Sequence, residues 1–221
     1  MKKEQKESIL FYSLNDYLII NNLMWGNKKE AIDGYKIAYN DAQGIMKEAL
    51  QMGLDKRWGV SLKKGKELFN AYKRRFPEIL NEMVLEKVLK RAYKDINNIT
   101  NCMTPSEKDF VVIRNVRISN SCQSYNIDDT ILLQSLSSSS VGLFDYSYDS
   151  KDKQYIRYII HIPRGTPILE MKSLPKDIRN EEDEIILPPM ACLIMNVNMG
   201  NTDNCKKIVE MKFVNLLKVR K

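Results

Sequence analysis

The sequence predicts an α+β fold, and three observations carry that prediction. Apolar residues recur at helical spacing through the front half of the chain. The back half breaks into short β-branched runs separated by Asn, Asp, Ser, Gly and Pro. The two textures do not alternate, so a parallel βαβ sheet is excluded. One unit spanning 1–221 is expected, mainly helical over 1–105 and mainly β over 106–221.

Residues 28–52 place Ala31, Tyr35, Ala38, Ala42, Ile45, Ala49 and Leu50 near a 3.6 period, and Gly53 is a natural stop. Ser61 can cap a second helix with Leu68, Phe69, Tyr72 and Phe76 on its apolar stripe, and Pro77 ends or bends it. A third stripe, Ile79, Leu80, Met83, Val84, Val88 and Ala92, reaches about residue 97. Asn97–Asn98 and Thr104-Pro105-Ser106 read as the junction. Strands follow at 110–118, 130–136, 155–162, 166–170, 184–188, 191–197 and 206–219. In the last of these Val209, Met211 and Phe213 alternate with Glu210 and Lys212, the mark of one buried face. Ser137–Ser140 reads as low-complexity sequence.

Composition points to an ordinary soluble protein, with 43% hydrophobic and 29% charged residues. No apolar run is long enough to span a bilayer, and Asn15 and Asp16 interrupt the N-terminal apolar residues where a signal peptide would need none. The expected location is therefore cytoplasmic, or a host cytoplasm reached by a non-classical route or in a virion. Cys102, Cys122, Cys192 and Cys205 are widely spread and, with the single His161, make a poor metal set; free thiols and no metal are expected. Residues 54–94 hold twelve Lys/Arg against five Asp/Glu, which is the whole net charge of +7. Lys-rich helices usually turn such charge to water, and basicity alone does not make a nucleic-acid site.

Three local patterns bear on chemistry. Glu182 and Glu184 share one face of a strand start, about 6–7 Å apart, a spacing suited to splitting a glycosidic bond, although acidic runs before strands are more often solvated turns. Arg114 lies in Val111-Val112-Ile113-Arg114-Asn115-Val116, where a guanidinium must meet an anion, either a diphosphate or a structural carboxylate. Ser135 and Ser137 leave a strand on one face, where their hydroxyls can orient a carboxylate or a ribose. There is no G-x-S-x-G elbow, and His161 lies mid-strand, so a Ser-His-Asp hydrolase is not expected. Walker and Rossmann glycine motifs are absent.

The order of Arg on one strand, Ser-x-Ser on a second and Glu-x-Glu on a third resembles the arginine–serine–glutamate class of mono-ADP-ribosyltransferases, to which clostridial binary toxins and vertebrate ecto-enzymes belong. VVIRNV is similar to that family's Tyr-Arg-Gly strand. LQSLS is similar to its Phe-x-Ser-Thr-Ser, with Ser137-Ser138-Ser139 as a second setting of the register. Glu182-Asp183-Glu184 followed by IILP resembles its Glu-x-Glu and Val-Leu-Leu-Pro, and Pro163-Arg164-Gly165-Thr166 its Pro-x-Gly-Thr turn. Tyr12 through Leu23 resembles the toxin helix Tyr-Thr-x-x-x-Tyr-x-x-Ile-Asn-x-x-Leu.

The resemblance implies N-terminal helices packed on two roughly perpendicular, mainly antiparallel sheets, with NAD in the cleft as a substrate. It implies that Arg114 holds the diphosphate, that Ser135 braces Glu184 and the ribose with Ser137 beside it, and that Glu184 stabilises the oxocarbenium-like transition state. Glu182 would orient and deprotonate the acceptor, a protein arginine by the family's pattern. Tyr17, Asn21 and Tyr146 would touch the dinucleotide. An NAD glycohydrolase using the same residues, and a catalytically idle partner-binding member, are the alternatives.

Overall fold

The structure is a computed structural model describing residues 1–77, 82–117, 124–141, 154–174, 184–200 and 205–217. The chain divides into two compact units, Met1–Ile99 and Thr100–Lys221.

The first unit is helical: α1 (Lys3–Phe11), a π-helical turn (Tyr12–Asp16), α2 (Tyr17–Met24), α3 (Lys28–Met52), α4 (Leu54–Trp58), α5 (Leu62–Arg75) and α6 (Glu82–Thr100). The end of α3 falls where its sequence puts it, because Gly53 adopts φ 104°, which only glycine takes without strain. Asn27 caps its start by accepting from the Glu30 amide, and Ser61 caps α5 by accepting from the Lys64 amide. The buried face of α3 is Ala31, Tyr35, Ala38, Ala42, Met46 and Ala49, whereas Leu50, expected on the stripe, is 67% exposed. Met83, expected on the α6 stripe, is also exposed; Val88, Leu89, Ala92, Ile96 and Ile99 form the buried face. Ile79 and Leu80 lie outside the described residues.

A buried ion network ties these helices together. The Arg75 guanidinium donates from Nε to Asp16 Oδ2 (3.0 Å) and from Nη2 to Asp95 Oδ2 (2.6 Å), and it lies over the Phe11 ring. Ser8 Oγ donates to the other Asp95 oxygen. Burial alone would lower the Arg75 pKa, but Asp16 and Asp95 outweigh it and hold the group above its ordinary value.

The second unit is a mixed sheet of nine described strands: β1 (Thr104–Pro105), β2 (Phe110–Arg117), β3 (Thr130–Leu133), β4 (Ser137–Val141), β5 (Tyr155–Ile162), β6 (Pro167–Glu170), β7 (Glu184–Leu187), β8 (Met190–Met199) and β9 (Cys205–Leu216). Their spatial order is β1-β6-β7-β4-β2-β5-β9-β8-β3. All described pairings are antiparallel except β5 with β9. Where two sheets were expected, one hydrogen-bonded series runs through all nine strands. The groups β1-β6-β7-β4 and β2-β5-β9-β8-β3 meet at β2–β4, where Val112↔Val141 and Ile113↔Ser140 pair among the described residues. Val112, Ile160, Leu187, Val209 and Met211 are fully buried in the core, each worth about 1.5–3 kcal/mol of transfer energy.

Two expectations change here. The strand predicted over 130–136 ends at Leu133, and Gln134–Leu136 carry the chain from the sheet edge to its middle. The serine run, read as low-complexity sequence, is strand β4. Serine favours turns in isolation. Here β2 and β7 flank it and pair with its backbone on both sides.

Candidate active site

Glu184 opens β7 and stands opposite Ser140 of β4. Along β4 burial alternates: Ser137 and Ser139 face the core, and Ser138 is exposed. Ser138 Oγ donates to Glu184 Oε1 at 2.6 Å, a short charge-assisted hydrogen bond that fixes the carboxylate. Arg114 on β2 donates from Nη1 to the Ser138 backbone carbonyl at 2.8 Å. Ser138 therefore joins the arginine and the glutamate, through its carbonyl on one side and its hydroxyl on the other.

The structure places Ser138 between Arg114 and Glu184. Ser135 precedes β4 and is 5% exposed; Ser137 is 2% exposed and donates to the Ser135 carbonyl, not to Glu184. The expectation for these two serines placed them on one strand, and the turn at Gln134–Leu136 removes that condition. With Ser138 as the bridging serine, the apolar-x-Ser-x-Ser pattern falls on Leu136-Ser137-Ser138-Ser139-Ser140, and Leu136 is fully buried as its anchor. Leu136, an apolar residue ahead of the serine run, was a partial signal in the sequence, but it does not by itself set the register. Ser139 Oγ is buried without a hydrogen-bond partner.

Glu182 and Tyr146 lie outside the described residues. Tyr17, 44% exposed, and Asn21, half-buried with an unpartnered Oδ1, lie on α2 in the helical unit. His161 Nε2 lies in hydrogen-bond contact with Glu210 Oε1 on β9 at 2.7 Å. Cys102, Cys192 and Cys205 are free thiols, and burial pushes the Cys192 thiol up to about 12. Among the described residues no group of His, Cys, Asp and Glu is placed to hold a metal ion, and no helix is long and apolar enough to cross a membrane.

Two further features shape the surroundings of Glu184. The Pro163–Thr166 turn, with Gly165 at φ 86°, is stitched to Ser106 by backbone hydrogen bonds in both directions, which fixes the segment leading into β2. Between that segment, the end of β6 and Glu184 runs a groove of about 730 Å³. Chemically, a carboxylate held rigid at a groove rim can stabilise a developing cation, and an arginine anchored beside it can hold an anion.

No protein-family model matches the chain, and no curated protein sequence matches it. Solved structures do. The catalytic domain of VsdC from Aeromonas hydrophila superposes with a TM-score of 0.50 at 12% identity, covering 96% of this chain and 100% of its own. The Clostridium limosum C3 exoenzyme gives a TM-score of 0.50 at 10% identity, covering 97% of this chain and 86% of its own. An ADP-ribosyltransferase from Clostridium botulinum gives 0.49 at 13% identity, covering 96% and 87%. The chain has the mixed helix-and-sheet fold of the ADP-ribosyltransferase toxins.

Proposed function

We propose that this protein is an NAD-dependent mono-ADP-ribosyltransferase that modifies a protein side chain, arginine by preference. The observation that carries the proposal is the Ser138 bridge between Arg114 and Glu184. It reproduces, in a fold shared with ADP-ribosyltransferase toxins, the arginine–serine–glutamate set that the sequence ordering points to.

In this reading Arg114 binds the NAD diphosphate through its planar fork of donors. Glu184, held by Ser138, stabilises positive charge on the ribose as the C1′–N bond to nicotinamide breaks and its electron pair leaves with the neutral base. A guanidine nitrogen of the acceptor forms the new bond to C1′ and releases one proton. Glu182, two residues before Glu184, is the base that receives it. Ser138 takes the bracing role first expected of Ser135, and Tyr146 keeps its proposed contact to the dinucleotide.

Incubation of cell lysate with adenylate-labelled NAD tests the proposal, comparing wild type with Glu184→Gln and Glu182→Gln. Discrete labelled proteins that fade about 100-fold or more in Glu184→Gln and vanish in Glu182→Gln are the expected result. Nicotinamide release without labelled protein, lost only in Glu184→Gln, identifies a glycohydrolase. Absence of both NAD turnover and NAD binding refutes the enzyme reading.

A further inference from the structure

We infer that the groove beside Glu184 is the acceptor subsite, and that Glu170 is the residue in it that selects a guanidinium. The inference rests on the transferase reading above and names a site within it.

Glu184 is the only one of the Arg114–Ser138–Glu184 set that lines the groove. A transferase needs such a junction, because donor and acceptor must meet at one carbon from different directions. The groove's charges are those of Glu107, Glu170, Glu184, Lys108 and Lys172, an excess of one carboxylate on a chain whose net charge is +7. That balance disfavours a diphosphate and favours a cation.

The shape specifies the cation further. Phe110, Val141, Ile168 and Ile185 supply apolar lining for an aliphatic stem. Glu170 ends β6 and Glu184 begins the antiparallel neighbour β7, with Glu170 paired to Ile185, the next residue along. Side chains one residue out of register normally face opposite ways. Both residues nonetheless line the same groove. A guanidinium can donate to two carboxylates at once through its fork, whereas an ammonium offers only a point charge.

Glu170 is also held in place. The 3₁₀ turn Met171–Ser173 follows it, Ser173 Oγ donates to its carbonyl at 2.8 Å, and Met171 is 1% exposed beneath. Its side chain is exposed, so substitution leaves the core untouched.

Agmatine, a free guanidinium on an aliphatic stem, serves as the acceptor probe, with the full chain and NAD. ADP-ribosyl-agmatine formation and nicotinamide release without acceptor are measured in parallel. Glu170→Gln is expected to raise the KM for agmatine about tenfold or more, with the KM for NAD and the acceptor-free hydrolysis near wild type. Glu170→Asp restores part of the loss, and Glu170→Lys abolishes transfer while hydrolysis persists. An unchanged agmatine KM in Glu170→Gln, or wild-type hydrolysis with no agmatine product, overturns the subsite. Loss of hydrolysis and transfer together in the wild type overturns the transferase reading itself.

Discussion

Ser138 sits in a run of four like residues, and nothing in its own identity distinguishes it from Ser137 or Ser139. What distinguishes it is the phase of β4, which turns it to the surface and toward Glu184. A hydrogen bond to a carboxylate is worth about 1.5–3 kcal/mol. Ser138→Ala should therefore slow nicotinamide release roughly 10- to 100-fold, whereas Ser135→Ala leaves the rate near wild type. Equal losses in the two variants would return the bracing role to Ser135. Burial gives a second prediction at this scale. With its thiol pushed up to about 12, Cys192 stays protonated at neutral and mildly alkaline pH. Only the thiolate alkylates, so mass spectrometry after iodoacetamide treatment of the folded protein should find Cys192 unmodified, and should find it labelled once denaturant is added.

Elements were legible in proportion to how much of their stability is local. α3 and α5 carry their own caps and stripes, and their starts match the sequence reading. β4 was not legible, because two neighbouring strands supply its pairing and serine contributes little. Between α4 and α5 a close approach overrides propensity. A Cβ on Gly65 would lie 2.6 Å from the Leu54 carbonyl oxygen. Alanine gains about 1 kcal/mol of helix propensity over glycine, but overpacking costs about 1–3 kcal/mol. Gly65→Ala should therefore lower the Tm; a rise would mean that the two helices part freely. Arg75 is the other pivot of the helical unit. Arg75→Leu strips buried Asp16 and Asp95 of their hydrogen-bonded cation and leaves them the longer Arg91 pairs at 3.7 and 3.8 Å, and denaturant titration should show a loss of about 3 kcal/mol.

At the scale of the whole molecule, ligand linkage tests the proposed cofactor without reference to turnover. NAD at 100 times its Kd stabilises the folded chain by about 2.7 kcal/mol. For a chain of this length that is roughly a 5–11 °C rise in Tm. Calorimetry should show the rise in wild type and lose most of it in Arg114→Ala at the same NAD concentration. A full shift in the variant would place the diphosphate elsewhere. Charge is unevenly spread at this scale as well: the excess of lysine and arginine falls within 54–94, in the helical unit, while the groove beside Glu184 carries more carboxylate than amine.

The sequence by itself determined the α+β class, the helix caps and breaks, most of the strands, and the order in which an arginine, a serine segment and a glutamate follow one another. Those features depend on periodicity, on backbone conformations that few residues adopt, and on side-chain type. Only the tertiary structure decided which serine meets Glu184, that Arg114 reaches that serine's carbonyl, and that Glu170 shares a groove with Glu184. These are questions of register between strands distant in sequence. A shift of one residue exchanges every buried side chain for an exposed one, and a run of four serines carries no mark of which register it will take.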